Sequence, residues 1–181
     1  MEQSAPHVNS FDAMLAATAP LDPIATAVVH PCDAASLIGA LEARDKTLIT
    51  PILVGPEDRI KAVATEEGLN IDGLEIVDAK HSHASAQAAV RLVREGKAQA
   101  LMKGALHTDE VMSAVVDKVT GLRTERRMSH VFVLDVPTYP KPLLITDAAI
   151  NIFPDLMVKA DIVQNAIEWA HAIGVDEPKV A

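Results

Sequence analysis

Short apolar runs alternate with amphipathic segments over the first two thirds of the chain. The apolar runs are predicted strands, and they are Ala25–Val29, Ile52–Val54, Leu74–Val77 and Ala98–Met102. After a short link, each run is followed by a segment whose apolar residues recur with helical spacing. This strand–helix alternation predicts an α/β fold with a mainly parallel sheet, right-handed crossovers and helices on both faces.

Polar residues mark where these helices begin. Asp33 is placed to cap a helix that runs to about Arg44, and Thr108 to cap a helix over the amphipathic run Val111–Val119. The carboxyl ends of parallel strands meet at one edge of the sheet, where ligands gather in such folds. The residues that follow the predicted strands are therefore the first places to look for a binding site.

The pattern changes after Gly121. Two apolar runs, His130–Asp135 and Leu143–Thr146, stand close together and are predicted to pair antiparallel, ahead of a long helix from about Asp155 to Ala172. The last residues, Pro178–Ala181, have the character of an entry to another strand. We therefore expect the sequence to be truncated relative to a longer protein.

The predicted domain organisation follows from this change of pattern. Residues 1–20 are expected to form an N-terminal tail and a short helix, and residues 21–129 a first α/β domain. Residues 130–181 are expected to begin a second α/β domain that is incomplete.

Composition narrows the class of function. The chain is 49% hydrophobic but only 3% aromatic, so its core is expected to be aliphatic. A formal net charge of −9 argues against nucleic-acid binding, which needs a basic face, and the few aromatics offer little for base stacking. No run approaches the roughly 18 apolar residues that span a bilayer, so no membrane partner is expected. The single cysteine, Cys32, excludes an internal disulfide and favours a reducing cytoplasm.

The segment with the most chemical information is the end of the fourth predicted strand. Lys103 and Gly104 follow that strand, and Thr108 stands at the predicted helix N-terminus. A helix N-terminus offers free amides and a partial positive charge, to which the lysine adds a full charge. We interpret Lys103, Gly104 and Thr108 as an anion-binding cradle; the alternative is a solvated lysine beside an ordinary cap.

A group of basic residues follows about fifteen residues later in this acidic chain. Arg123, Arg126 and Arg127 stand just ahead of Ser129, at the start of the next predicted strand. Charge runs usually face water, so a solvated loop is the alternative to an anion site. For Ser129 the alternatives are a substrate contact and packing at the strand end.

Two further polar residues follow the strand Leu143–Thr146. Asp147 and Asn151 are candidates for a role in the binding cleft. The alternative is a turn in which the Asp147 carboxylate bonds its own backbone.

The histidines and the cysteine do not predict a metal or nucleophile site. His81 and His83 are two residues apart, as are His30 and Cys32, and this spacing does not place a pair on one helical face. Structural roles are therefore favoured for them. The lack of a Gly-x-Gly-x-x-Gly pattern after any predicted strand argues against a dinucleotide site of the Rossmann type.

Four sequence segments resemble one known family when taken together and in order. They are LMKGALHTDE (101–110), GLRTERRMSHVFVLDVP (121–137), LLITDAAINIFPDL (143–156) and VQNAIEWAHAIGVDEPKVA (163–181). The chain resembles phosphate acetyltransferases and phosphate butyryltransferases, most of all the butyryltransferase-like branch. That branch includes the acyltransferase part of proteins that carry an upstream hydratase-like domain.

The resemblance implies a fold and a reaction. The fold would be a two-domain subunit like isocitrate and isopropylmalate dehydrogenases, with the active site in the cleft between domains and a homo-oligomeric assembly. The reaction would interconvert acyl-CoA plus phosphate with acyl phosphate plus CoA. CoA would then be a substrate, and no cofactor would be permanently bound.

The resemblance also assigns roles and leaves gaps. For such a reaction we interpret the Lys103 turn as the phosphate cradle and the arginines as contacts to the CoA diphosphate or 3′-phosphate, with a solvated turn and a solvated loop as the alternatives. The catalytic base, expected to be an aspartate, would lie beyond Ala181, so the catalytic residues are unknown here and the 181-residue chain alone is expected to be inactive. Met112 and Ser113 stand near the position where acetyltransferases have an arginine in a Leu-Arg-Pro motif.

Two other functions remain open on the sequence. One is a metal- and NAD-dependent decarboxylating dehydrogenase of the same fold, although the sequence shows no cluster of aspartates for the metal ion. The other is a non-catalytic domain that binds CoA or another anion.

Overall fold

A computed structural model describes residues 10–139 and 141–181, and the predicted tail at residues 1–9 lies outside the described residues. In chain order, the elements are α1 (Ser10–Thr18), β1 (Ile24–Val29), α2 (Ala34–Asp45), β2 (Ile49–Gly55), α3 (Glu57–Glu66), β3 (Glu75–Asp78), α4 (Ser82–Arg94), β4 (Ala100–Lys103), α5 (Thr108–Val115), β5 (Val131–Leu134), β6 (Leu143–Thr146) and α6 (Leu156–Ala172).

The first four strands form one parallel sheet in the order β3-β2-β1-β4. The register pairs Val29 at the end of β1 with Val54 of β2 on one side and with Lys103 of β4 on the other. The predicted α/β fold with a mainly parallel sheet is therefore confirmed. The β2 strand begins at Ile49, three residues before the predicted start.

Two hydrophobic cores lie on opposite faces of this sheet. Alternate residues of β1 face opposite sides, and Ala27 and Val29 pack in one core while Val28 packs in the other. The first core also contains apolar residues of α4 and α5, and the second contains residues of α2 and α3. Helices therefore cover both faces, as predicted.

The boundaries of α5 differ from the prediction. The residue before the helix, its N-cap, is His107, and Thr108 is already helical, so the prediction of Thr108 as the cap is wrong. The carboxylate of Glu110 accepts the His107 amide at 2.8 Å, which moves the helix start one residue earlier. The helix also ends at Val115 instead of continuing to Val119, because the carboxylate of Asp117 draws the following residues into a turn.

The chain folds into two compact units, Leu21–Arg123 and a unit made of Thr124–Ala181 with the N-terminal segment that ends at Pro20. In the second unit, β5 and β6 pair antiparallel as predicted, and the Asp155 carboxylate caps α6 by accepting the Val158 amide. The predicted domain boundaries stay predictions. Within the described residues, no helix combines the length and apolar character needed to cross a bilayer.

Candidate functional site

The strand order creates a switch point between β1 and β4. From β1 the chain passes through α2 to β2 on one side, whereas β4 joins β1 on the other side after α4 has crossed the sheet. Open α/β sheets bind ligands outside the carboxyl ends of the strands at such a point. Lys103 and Gly104 end the β4 side of it.

Gly104 is required by a close approach of two backbones at this point. Its amide donates to the carbonyl of Val29 at 2.8 Å, and the Ala105 amide donates to the carbonyl of His30 at 2.9 Å. A Cβ on residue 104 would stand 2.5 Å from the Val29 oxygen and 2.7 Å from the His30 oxygen. Only glycine therefore fits here without movement of the strand ends.

The backbone amides that remain free to bind an anion belong to the first turn of α5, after the Lys103–Gly104 turn. The amides of Gly104 and Ala105 are engaged by β1, whereas none of the described hydrogen bonds uses the amides of Thr108 or Asp109 in the first turn of α5. These two amides have no intrahelical acceptor, as in any helix. The side chain of Lys103 is exposed and its Nζ lies 3.3 Å from the Gly104 carbonyl.

A carboxylate also sits at the start of α5. Glu110 accepts the Ser82 hydroxyl at 2.5 Å and the His107 amide at 2.8 Å, and its Oε1 lies 2.9 Å from the Nδ1 of His83. The hydrogen bonds from Ser82 and His107, followed by the charges of His83 and His107, lower the pKa of Glu110. The hydrogen bonds to this carboxylate therefore link the start of α5 to the start of α4.

Asp33 and Ser36 join the switch point from the β1 side. The Asp33 carboxylate accepts the Ser36 amide at 2.8 Å as the cap of α2. The Ser36 hydroxyl and amide lower the pKa of Asp33, and the charge of Lys103 lowers it further. Sequence reasoning identified the Asp33 cap but not its electrostatic interaction with Lys103, because the two residues are 70 positions apart and only the parallel pairing of β1 and β4 brings them together.

Residues 124–130, the arginine-containing loop with Arg126 and Arg127, belong to the other unit, where side chains on one face of α6 contact the loop. Asp161 accepts the Arg127 amide at 2.9 Å, Asn165 donates to the Arg127 carbonyl at 2.9 Å, and Glu168 forms an ion pair with Arg126 at 2.5 Å. These α6 residues were missed at the sequence level. Their spacing of four and three positions on one face of a largely apolar helix was the available signal.

The three arginines are not equivalent. The ion pair with Glu168 occupies the guanidinium of Arg126. Arg123 and Arg127 are exposed, and no ion pair with their guanidinium groups occurs within the described residues. Arg127 therefore combines a fixed backbone with a side chain that is free to reach an anion.

Asp147 organises the loop after β6. Its carboxylate accepts the His130 amide at 2.9 Å, the Asn151 amide at 2.8 Å and the Asn151 side chain at 2.6 Å, with longer bonds from Ala149 and Ile150. Burial alone would raise the pKa of Asp147, but the hydrogen bonds from His130, Asn151 and Ala149 together outweigh it and lower the pKa to about 2.

Asn151 extends this network to the arginine-containing loop. Its Nδ2 also donates to the Met128 carbonyl at 3.0 Å, while Asn165 donates to the Ser129 hydroxyl oxygen at 2.8 Å. The Ser129 hydroxyl therefore keeps its own proton for another acceptor. Next to it, the Nδ1 of His130 is buried without a hydrogen-bond partner among the described residues.

The described residues contain no group of three or more His, Cys, Asp or Glu side chains that could hold a metal ion. Cys32 is buried, and burial raises the pKa of its thiol above the ordinary value. A raised pKa disfavours the thiolate form that a nucleophile needs.

The predicted site residues fall into two groups, one in each unit. Lys103, Gly104 and Thr108 lie between the end of β4 and the first residue of α5 in the first unit. Arg126, Arg127, Ser129, Asp147 and Asn151 share one hydrogen-bonded network in the other unit. Arg123 ends the first unit. The features of the first unit are those of a doubly wound α/β protein with a cationic turn at its switch point.

Comparisons with known proteins give the family. The family described as Phosphate acetyl/butaryl transferase matches residues 83–181. A phosphate acetyltransferase of Rhizobium meliloti is 57% identical over 96% of this chain, and a phosphate butyryltransferase of Clostridium acetobutylicum is 40% identical over 77% of it. The chain belongs to the phosphate acetyl/butyryltransferase family.

The chain spans about half the length of these relatives, 55% of the first and 46% of the second. A branched-chain phosphotransacylase structure from Enterococcus faecalis superposes with a TM-score of 0.66 at 26% identity, over 86% of this chain and 54% of that one. A phosphotransacetylase structure from Streptococcus pyogenes has a TM-score of 0.73 at 18% identity and supports the fold alone. Relatives of both names match, and the higher identity is to the acetyltransferase.

Proposed function

We propose that the protein containing this chain is a phosphate acyltransferase that interconverts acyl-CoA plus phosphate with acyl phosphate plus CoA. In the forward direction a phosphate oxygen attacks the thioester carbonyl, the carbon–sulfur bond breaks and CoA leaves. The observation that carries the proposal is the family match over residues 83–181. The Lys103 turn at the switch point supports it with a cationic group where such sheets bind ligands.

Both substrates are anions, so the protein must offset their mutual repulsion while it aligns them. Lys103 supplies a full positive charge, and the free amides of Thr108 and Asp109 supply directed donors at the helix N-terminus. Gly104 permits the close approach that sets the position of this turn. We assign these residues to the phosphate or to the phosphoryl group of the acyl phosphate.

CoA offers further phosphates, which we assign to the arginine-containing loop. Arg127 is the preferred contact in this loop, because the guanidinium of Arg126 is already paired with Glu168. Arg123, the last residue of the first unit, is a further candidate contact. The Ser129 hydroxyl can donate a hydrogen bond to substrate, and Asp147 and Asn151 hold the loop in place. CoA is in this proposal a substrate, with no permanently bound cofactor, and the enzyme is a cytoplasmic homo-oligomer.

The acyl group stays open between acetyl and butyryl, since relatives of both names match the chain. Neither alternative from the sequence gains support. The matched family consists of acyltransferases, and the described residues offer no metal-binding group for a decarboxylating dehydrogenase.

The test is a thioester-forming assay on the full-length protein, with acetyl phosphate and butyryl phosphate as alternative acyl donors and CoA as acceptor. Lys103→Ala should raise KM for the acyl phosphate, and in the reverse direction for phosphate, by about tenfold, as expected when one charge-assisted hydrogen bond is lost.

Arg127→Ala should raise KM for CoA instead, with a smaller effect at high salt. Lys80→Ala, which removes a lysine outside the proposed site, is the control.

Absence of acyl transfer with both donors would overturn the proposed reaction. An unchanged KM in Lys103→Ala would overturn the assignment of the phosphate to this turn.

A further inference from the structure

His30 occupies an unusual position at the end of β1. It lies in the left-handed region with a φ of 56°, which non-glycine residues seldom adopt, and the residue is only 4% exposed. Its carbonyl accepts the Ala105 amide, directly beside the Gly104 contact with Val29. The backbone of His30 is thus one of the two supports of the Lys103–Gly104 turn.

The side chain of His30 is fixed from another element. Its Nδ1 lies 3.0 Å from the hydroxyl oxygen of Ser85, which is fully buried in the first turn of α4. The Ser85 hydroxyl has one proton, and it donates this proton to the His81 carbonyl at 2.9 Å. With the Ser85 proton directed at the His81 carbonyl, the Ser85 oxygen accepts from His30, and the neutral ring then carries its proton on Nδ1.

The electrostatic surroundings favour this neutral ring. Burial lowers the pKa of His30, followed by repulsion from Arg59, while Glu110 raises it and His81 lowers it. With the proton of the neutral ring on Nδ1, the charged ring makes the same hydrogen bond to Ser85.

The first turn of α4 supports the segment that follows the Lys103–Gly104 turn at two points. Through Ser85 it holds His30, whose carbonyl receives the Ala105 amide, and through Ser82 it holds Glu110, which receives the His107 amide. Residues 105–107, which directly follow the Lys103–Gly104 turn, therefore lie between two contacts that start from the same helix end.

We propose that His30 is a positioning residue for the Lys103–Gly104 turn, held by its Nδ1 hydrogen bond to Ser85. The inference rests on the proposed role of that turn in binding phosphate. In this proposal, a buried histidine that does not contact the substrate influences the affinity for phosphate.

The first experiment measures KM for inorganic phosphate and kcat with acyl-CoA in the full-length protein. Ser85→Ala removes the acceptor and leaves the His30 backbone untouched. It should raise KM for phosphate about three- to tenfold, the loss expected for one buried hydrogen bond, with kcat within about twofold. Thr65→Ala is the matched control, since the Thr65 hydroxyl also donates to a carbonyl one helical turn back but lies in α3 away from the turn.

Replacing His30 by asparagine or by alanine tests whether the N–H donor, and not the volume of the side chain, sets KM for phosphate. His30→Asn tolerates the left-handed backbone and keeps an N–H donor near the position of Nδ1, so it should stay within about twofold of the original KM. His30→Ala, which lacks the donor, should raise KM for phosphate as much as Ser85→Ala does. Equal losses in the Asn and Ala variants would overturn the proposal, as would a Ser85→Ala variant that unfolds earlier but keeps its KM.

Coupling to Lys103 distinguishes this inference from the function on which it rests. If His30 acts through the turn, Ser85→Ala should add little to the KM of Lys103→Ala, and effects that simply multiply would overturn the proposal. If Lys103→Ala itself leaves KM unchanged, the proposed phosphate site fails. If Lys103→Ala raises KM and Ser85→Ala does not, only the positioning role fails.

Discussion

Asp147 shows at the residue scale how a site candidate can serve the backbone around it. Its carboxylate accepts hydrogen bonds from the backbone amides of residues 130, 149, 150 and 151, so its oxygens are directed at the loop after β6 and at the residue before β5. This is the turn-forming alternative that the sequence left open. The side chain contributes to a site by fixing where Asn151 and the start of β5 lie.

The pH dependence of stability should reveal this role. The folded-state pKa of about 2 lies below the ordinary value of 3.8, so the carboxylate stabilises the fold fully above about pH 4. That contribution is lost as the pH falls from about 4 to about 2. Asp147→Asn should lower the free energy of unfolding at pH 7 by about 1–3 kcal/mol, because an amide N–H replaces an acceptor among donors.

Urea unfolding of both proteins between pH 2 and pH 7 is the measurement, and the difference between them should shrink toward pH 2. The exposed Asp176, changed to Asn, is the control. A difference that stays constant over this range would show that ionisation of Asp147 does not stabilise the fold.

Residues differ in how well the sequence revealed their roles. Lys103 and Gly104 were predictable because a cation and a glycine directly follow an apolar strand. His30 was interpreted as structural, and its contact with Ser85 spans 55 positions that only the crossing of α4 over the sheet brings together. Local patterns carry no information about such pairs.

For the helices and strands, the type of element was predicted more accurately than its first and last residues. The strands and helices follow from apolar spacing, but the end of α5 depended on Asp117, whose carboxylate turns the chain although the apolar run continues. The contacts by which α6 holds the arginine-containing loop could likewise not be predicted from the sequence. Asp161, Asn165 and Glu168 appear in the sequence as an ordinary polar stripe, and only the fold shows what they face.

The α6 contacts make a prediction for the arginine-containing loop. Asn165→Ala removes the donor to both the Arg127 carbonyl and the Ser129 hydroxyl oxygen. The loop should then open more readily, and trypsin should cleave after Arg126 and Arg127 about three- to tenfold faster, as expected for the loss of one or two hydrogen bonds.

Gln164→Ala is the neighbouring control, because the Gln164 side chain donates to Glu168 and none of the described hydrogen bonds joins it to a loop residue. Cleavage rates followed by mass spectrometry are the measurement. Equal rates in the Asn165→Ala and unaltered proteins would show that α6 does not hold the loop.

At the scale of the whole molecule, burial is unevenly divided between the two units. Both hydrophobic cores lie within Leu21–Arg123, one on each face of the sheet. Among the described residues of Thr124–Ala181, the buried apolar side chains are Ile162 and Ala170, while Phe153 is 96% exposed. The sequence predicted two α/β regions but not this difference, which depends on tertiary packing.

This imbalance predicts that only one unit folds by itself. Leu21–Arg123 has a four-stranded sheet covered on both faces, so as a separate polypeptide it should unfold cooperatively in urea. Thr124–Ala181 has a two-stranded sheet and few buried apolar groups, and domains of about 60 residues are marginal even when well packed. Alone it should show no cooperative transition.

Circular dichroism and amide hydrogen exchange on the two separate polypeptides are the measurements. Leu53→Ala, which truncates a fully buried side chain of the first unit, should lower its stability by about 2–5 kcal/mol and serves as a check that the observed transition reports the core. Two results would contradict the prediction. A non-cooperative Leu21–Arg123 would mean that its two cores depend on the rest of the protein, and a cooperative Thr124–Ala181 would mean that the α6 contacts to its loops suffice without a larger core.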